Sequence, residues 1–181
     1  MTDSAAKLFG TSGIRGIVNK EVDSNLALRV GQAIATLIPK SLICVGRDPR
    51  MSGDMLQSSV ISGLLSGGCE VMELGVLPTP TLAYLTRALE AACGVMITAS
   101  HNPPEYNGIK LFSRDSSALG EAIETKIETI IRSGDFRAEE WQNLQNVTSR
   151  YETARYIELL TDEVKLNRKW KIGLDPANGA A

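Results

Sequence analysis

The sequence predicts an α/β fold, a layered α/β/α sandwich around a mostly parallel mixed sheet, followed by the start of a second domain. Short apolar runs typical of strands alternate with segments of helical periodicity as far as Phe112, and this alternation favours parallel βαβ units. The 181 residues are 43% hydrophobic and 22% charged, which is ordinary for a globular protein and excludes disordered and collagen-like chains.

The first helix is predicted over 24–38, where apolar residues keep helical spacing behind an Asp23 or Ser24 cap and Pro39 ends the run. Small-molecule sites in such folds lie beyond the carboxyl ends of the strands. The next predicted elements are a strand over 42–45, a helix over 56–65 closed by Gly67 and Gly68, a strand over 69–74, a helix over 79–90, and strands over 94–98 and 109–112.

The chain changes character after residue 112. Amphipathic helices are predicted over 120–132 and 150–164, and an apolar strand over 170–174 comes near the end of the sequence. A strand with nothing after it to pair with suggests a piece of a longer protein. We therefore expect a first domain over 1–150 and, over 151–181, a linker helix and the first strand of a truncated second domain.

Charge and hydropathy limit the cellular compartment and the classes of binding partner that are expected. A net charge of −2 provides no general attraction to nucleic acid or acidic membrane, so neither is expected as a partner. No apolar run approaches the roughly 20 residues of a membrane span, and the N-terminus lacks a secretory pattern, so a cytoplasmic location is expected. Cys44, Cys69 and Cys93 are widely spaced in apolar context, which indicates buried thiols.

Three loops combine glycine, hydroxyl and basic side chains, a mixture that suits a phosphate group. In the first, over 10–16, glycines allow close backbone approach, Thr11 and Ser12 can donate hydrogen bonds, and Arg15 offers a forked donor to an oxyanion. On composition alone, a plain tight turn is the favoured interpretation of this loop.

The second loop, over 46–53, directly precedes a predicted helix. Local structure is the favoured interpretation here. Ser52 or Asp54 can cap the helix, and Arg47 can pair with Asp48.

The third loop, over 98–110, contains Ser100, Asn102, Lys110 and the one histidine of the chain, His101. A serine hydrolase is disfavoured, because neighbours on an extended chain point to opposite sides and no Gly-x-Ser-x-Gly elbow is present. A serine that accepts and donates a phosphoryl group needs only positive charge and hydrogen-bond donors around it. The alternative is a loop whose Ser and Asn make local turn bonds.

These segments, in this order, resemble the α-D-phosphohexomutase family, which includes phosphoglucomutases, phosphomannomutases and phosphoglucosamine mutases. The resemblance implies the first of four domains around a central cleft, the first three being similar α/β units. The matching segments are Phe9-Gly10-Thr11-Ser12-Gly13-Ile14-Arg15-Gly16, Val45-Gly46-Arg47-Asp48-Pro49-Arg50, Ile97-Thr98-Ala99-Ser100-His101-Asn102-Pro103 and Asn107-Gly108-Ile109-Lys110.

The resemblance also implies a chemistry. Ser100 would be a phosphoserine that interconverts hexose 1-phosphate and hexose 6-phosphate through a hexose 1,6-bisphosphate, with hexose phosphate as the substrate. Arg15 and Lys110 would act beside it as charge stabilisers or proton-transfer partners, with His101 and Asn102 in the same loop. Magnesium would be held partly by the phosphate on Ser100.

The sugar and the catalytic status stay open at this point. Thr98 before Ala99-Ser100 is similar to the mannose and glucose branch, whereas serine at that position is usual in the phosphoglucosamine branch, which remains the alternative. A non-catalytic phosphate-binding module is the alternative from another class.

The family's magnesium aspartates, sugar loop and distal phosphate loop have no counterpart in this sequence. We therefore expect the 181-residue chain alone to be inactive as a mutase. The check is an assay of the purified chain for conversion of glucose 1-phosphate, and measurable conversion would contradict the expectation.

Overall fold

The computed structural model describes residues 7–180. The predicted helices are confirmed within a few residues at their ends, and the α/β class is confirmed. The elements are β1 (Ile14–Ile17), α1 (Ser24–Leu37), β2 (Leu42–Arg47), α2 (Gly53–Ser66), β3 (Glu70–Val76), α3 (Thr79–Ala88), β4 (Cys93–Ile97), β5 (Tyr106–Ser113), α4 (Glu121–Ser133), a 3-10 turn (Trp141–Asn143), β6 (Val147–Ser149) and α5 (Thr153–Glu163).

The strands form one mixed sheet in the order β1-β5-β4-β2-β3-β6. β4, β2, β3 and β6 are mutually parallel, whereas β5 runs antiparallel to both β4 and β1. The carboxyl ends of β2 and β4 therefore lie side by side, and the loops that follow these two strands meet at one edge of the sheet.

Successive side chains along the strands pack alternately into two separate hydrophobic cores. On β2, Ile43 and Val45 pack into the core formed with α1, α2 and α4, while Cys44 faces the core formed with α3. Because successive strand residues point to opposite faces, this pattern places helices on both sides of the sheet and gives the three predicted layers.

Helix α1 begins where the sequence places its cap, since the Asp23 carboxylate accepts a hydrogen bond of 2.7 Å from the amide of Leu26. Helices α1 and α2 then approach each other closely through two buried glycines. A Cβ on Gly31 would overlap the carbonyl oxygen of Val60, and a Cβ on Gly63 would overlap that of Leu28.

The three cysteines are buried and free, as predicted. Burial raises the pKa of the Cys44 and Cys93 thiols to about 12, so both are neutral at physiological pH and poor nucleophiles. None of the helices within residues 7–180 has the length and apolar character to cross a membrane.

Three segments differ from the prediction. β1 and β6 are short edge strands that the sequence analysis did not predict, because neither has an apolar run of its own and each is defined by its neighbour in the sheet. The strand predicted over 170–174 is not formed: no described strand pairs with it, and Trp170, Ile172 and Leu174 are exposed. The proposed boundary at residue 150 stays a prediction.

The contact between α1 and α2 generates a stability prediction. Gly63→Ala places a methyl group against a backbone carbonyl that cannot rotate away, and this overlap outweighs the helix propensity that alanine adds. We expect the free energy of unfolding to fall by about 1–3 kcal/mol, measured by equilibrium urea denaturation. Gly173→Ala is the control, since its Cβ meets no atom within 4 Å; equal effects of the two changes would contradict the close approach.

Candidate active site

Ser100 lies in the loop that follows β4, and its side chain is exposed. Its backbone has a φ of 57°, in the left-handed region that is unfavourable for residues with a Cβ. A serine keeps this conformation only where its surroundings hold it.

The backbone of Ser100 is held on both sides. Its amide donates a 2.9 Å hydrogen bond to the hydroxyl of Thr98, which in turn donates at 2.7 Å to the Asp48 carboxylate. Its carbonyl accepts a 3.0 Å hydrogen bond from Nη2 of Arg50. These two hydrogen bonds involve only the backbone of Ser100, and within residues 7–180 its hydroxyl has no hydrogen bond to a backbone group.

Arg50 joins the loop after β2 to the loop after β4. Its Nε donates to Asp48 at 3.1 Å, and both side chains are largely shielded, at 12% and 14% exposure. Its two terminal nitrogens donate to the carbonyl oxygens of Ser100 (3.0 Å), Asn102 (2.7 Å), Pro103 (2.6 Å) and Tyr106 (2.9 Å).

His101 Nδ1 lies 3.4 Å from the hydroxyl of Ser100. The expectation that the two side chains point to opposite sides is wrong, because Ser100 is left-handed rather than extended. The rest of the described chain offers the imidazole no carboxylate to orient it, so the arrangement lacks the third member of a hydrolase triad.

From the edge strand β1, Arg15 reaches the loop over 98–106 that contains Ser100, which we call the serine loop. Arg15 pairs with Gly108 of β5, where a Cβ would lie 3.0 Å from the Arg15 side chain. Nη1 of Arg15 contacts the Asn102 amide oxygen at 3.4 Å, while its buried Nε has no hydrogen-bond partner. Arg15 therefore retains donors that an oxyanion could use.

Thr11 and Ser12 lie in a tight turn closed by backbone hydrogen bonds between Gly10 and Gly13, at 3.0 and 3.3 Å. Gly13 has a φ of 86°, and a Cβ there would meet the backbone of β5. The turn is thus confirmed. Because neither hydroxyl has a hydrogen-bond partner within residues 7–180, the binding of an anion here stays a prediction.

Lys110 and Thr11 are predicted site residues that line a different cavity from Ser100. The Lys110 ammonium lies 5.1 Å from the centre of the Phe112 ring, and in the described chain it makes no hydrogen bond to Ser100. Lys110, Thr11 and Gly13 line a cavity of about 420 Å³. Ser100, His101 and Asn102 instead share a groove of about 950 Å³ with Arg50.

The sequence model described as phosphoglucomutase/phosphomannomutase, alpha/beta/alpha domain I, matches residues 6–138. The chain belongs to this family. A "Probable phosphoglucosamine mutase" of Methanococcoides burtonii is 46% identical over 175 residues, covering 96% of this chain and 39% of that protein. A "Phosphoglucomutase/phosphomannomutase" of Thermococcus kodakarensis is 40% identical over 183 residues, covering 96% of this chain and 40% of that protein.

Solved structures agree with this membership in the phosphoglucomutase/phosphomannomutase family. The crystal structure of a family protein from Burkholderia thailandensis superimposes with a TM-score of 0.76 and 25% identity, over 90% of this chain and 37% of that one. The chain spans about two fifths of the length of the relatives it matches.

Magnesium, which the family resemblance implies, has no ready-made site among the residues described. Over 7–180 no group of three or more His, Cys, Asp and Glu side chains could hold a metal ion. These residues therefore do not fit a magnesium ion by themselves.

In the loop over 46–53, the predicted ion pair between Arg47 and Asp48 and the predicted helix cap by Ser52 are wrong. Asp48 pairs with Arg50 rather than with Arg47, which binds Asp54 at 2.7 Å. Ser52 makes no capping bond and accepts a hydrogen bond from Asn107 at 2.8 Å.

Asp48, Arg50 and Thr98 are parts of the site that the sequence pattern did not predict. The available signal was the pair of opposite charges, Asp48 and Arg50, directly after β2, whose carboxyl end lies beside that of β4. Their partners are about fifty residues away along the chain, beyond the reach of local pattern.

Proposed function

We propose that this chain is the phosphoryl-carrying part of a phosphohexomutase, with Ser100 as the residue that carries the phosphoryl group. The observation that supports this proposal best is the contrast within Ser100 itself. Its hydroxyl is exposed beside a groove of about 950 Å³, while its amide and carbonyl are both fixed by hydrogen bonds. A fixed, accessible oxygen is what repeated group transfer requires.

The proposed reaction exchanges one phosphoryl group in each direction. A hydroxyl oxygen of the hexose phosphate attacks the phosphorus of phosphoserine, the bond to the Ser100 oxygen breaks, and the hydroxyl proton passes to a base or to the serine oxygen. A hexose 1,6-bisphosphate results. After the bisphosphate turns around, the Ser100 oxygen attacks the other phosphorus and loses its proton. The bond from that phosphorus to the sugar oxygen breaks, the sugar oxygen takes up a proton, and the phosphoserine is regenerated without net hydrolysis.

Positive charge and donors around Ser100 would stabilise the transferring group. Arg15 is the best-supported residue for this role, because it reaches Asn102 of the serine loop and keeps an unpartnered Nε. The 3.4 Å distance between His101 Nδ1 and the Ser100 hydroxyl supports a proton-transfer role for His101. The roles proposed for Lys110, Thr11 and Ser12 rest on the resemblance.

The preferred sugar is the finer question. Thr98 favours mannose and glucose phosphates by resemblance, whereas the name of the 46% identical relative favours glucosamine phosphate and that of the 40% identical one favours glucose and mannose. We propose a hexose-phosphate mutase, and kinetics with the three sugar phosphates would assign its preference. Magnesium and a hexose 1,6-bisphosphate activator belong to the same proposal.

The central test is phosphate mapping on a protein of the relatives' full length that contains this chain. After incubation with magnesium and glucose 1,6-bisphosphate, we expect peptide mass spectrometry to find phosphate on Ser100. Ser100→Ala should abolish phosphoryl exchange while leaving the circular dichroism spectrum unchanged, because an exposed loop hydroxyl contributes little to packing. An unmodified Ser100 would favour the non-catalytic module, whereas undiminished turnover of Ser100→Ala would discard Ser100 as the phosphoryl carrier.

Arg15 generates a second kinetic prediction. Arg15→Ala in the same protein should lower kcat by about 100-fold or more, since preorganised charge at a transferring phosphoryl group contributes strongly to the rate. The matched control is Arg114→Ala, because Arg114 is exposed and, among residues 7–180, pairs with Glu90 alone, at 3.3 Å. A loss of tenfold or less for Arg15→Ala would give this residue a structural role.

A further inference from the structure

Arg50 has no donor left for a ligand. A guanidinium carries five N–H groups. The Nε hydrogen is used by Asp48, and the four remaining hydrogens are used by four carbonyl oxygens of the serine loop. Within the described range 7–180, Arg15 in contrast makes one long hydrogen bond, to Asn102 at 3.4 Å, and its Nε has no partner. Arg50 can therefore hold the serine loop but has no hydrogen left to donate to a ligand, whereas Arg15 has.

The contacts around Ser100 form a closed ring. From the Ser100 amide the ring runs through the Thr98 hydroxyl to Oδ2 of Asp48, and from that same oxygen through Arg50 back to the Ser100 carbonyl. The ring thus grips the serine on both sides of its Cα. Since the left-handed backbone of Ser100 is unfavourable by itself, an outside constraint of this kind is what keeps it there.

We propose that Arg50, acting with Asp48 and Thr98, is a positioning residue that holds Ser100 in the left-handed conformation and so fixes its hydroxyl for phosphoryl transfer. It is not a ligand of the phosphate. This inference rests on the proposed function of Ser100, and it assigns a role to the loop over 46–53 that local pattern interprets as a turn and helix cap.

Two substitutions in the full-length protein test the proposal. Arg50→Lys keeps the charge but leaves at most three donors for five acceptors. Thr98→Val keeps the shape of the side chain but removes the hydroxyl that links Ser100 to Asp48. Because a small misplacement of a reacting group is costly, we expect each to lower kcat by about tenfold to a hundredfold while KM for the hexose phosphate stays within about threefold.

Matched controls separate positioning from general loss of stability. Thr98→Ser retains the hydroxyl and should keep kcat within about threefold of the parent protein. Arg29→Lys removes another half-buried guanidinium, one that contacts the carbonyl of Ile131 and the Phe136 ring, and should leave kcat unchanged.

A readout independent of turnover is hydrogen exchange of the peptide that contains Ser100. Arg50→Lys and Thr98→Val should speed exchange in this peptide, whereas Thr98→Ser and Arg29→Lys should not. This comparison remains informative if Arg50→Lys folds poorly, since Thr98→Val exchanges the hydroxyl of the parent protein for a methyl group and Thr98→Ser retains that hydroxyl.

The possible outcomes distinguish failure of the positioning role of Arg50 from failure of the proposed function of Ser100. A phosphorylated Ser100 together with parental kcat and exchange in both Arg50→Lys and Thr98→Val would overturn the positioning role and leave the proposed function intact. A raised KM with unchanged kcat in Arg50→Lys would also overturn the positioning role, since that result would make Arg50 a substrate ligand. An unphosphorylated Ser100 in the parent protein would overturn the proposed function itself.

Discussion

The ion pair between Asp48 and Arg50 is the constraint on which the site depends. It lies where the loops after β2 and β4 meet, and both side chains are mostly withdrawn from water. A charge in such a place is stable only when it is paired and its remaining donors and acceptors are satisfied. The backbone carbonyls of the serine loop complete that requirement for Arg50. The same contacts that satisfy the arginine therefore also shape the loop.

The antiparallel insertion of β5 brings the remaining parts of the site together. Since β5 lies between β4 and β1, Arg15 on β1 reaches the serine loop across the sheet edge, over Gly108. The segment that precedes β1 is held by Glu128 of α4. The buried carboxylate of Glu128 accepts hydrogen bonds from the amides of Leu8 and Phe9 at 2.9 and 2.8 Å. The tight turn over 10–13 thus starts from a held backbone.

Sequence pattern predicted the parts of this fold that are encoded locally. Helical spacing and the Asp23 cap gave α1 its start, and apolar runs located the four central strands. Pattern could not predict β1, because Ile14–Ile17 becomes a strand only through pairing with β5. It could not predict the partners of Arg50 for the same reason. For 170–174 the apolar pattern was present, but a strand also needs a neighbour, and the described residues provide none there.

The hydroxyl of Thr98 has a wider consequence. It accepts from the Ser100 amide and donates to Asp48, and a serine could make both bonds equally well, whereas the methyl group of Thr98 takes no part in them. An exchange of threonine for serine at position 98 would therefore leave the hydrogen bonds around Ser100 intact. Such an exchange does not by itself indicate a change of sugar. Residue 98 is better suited as a marker of lineage than as a determinant of substrate.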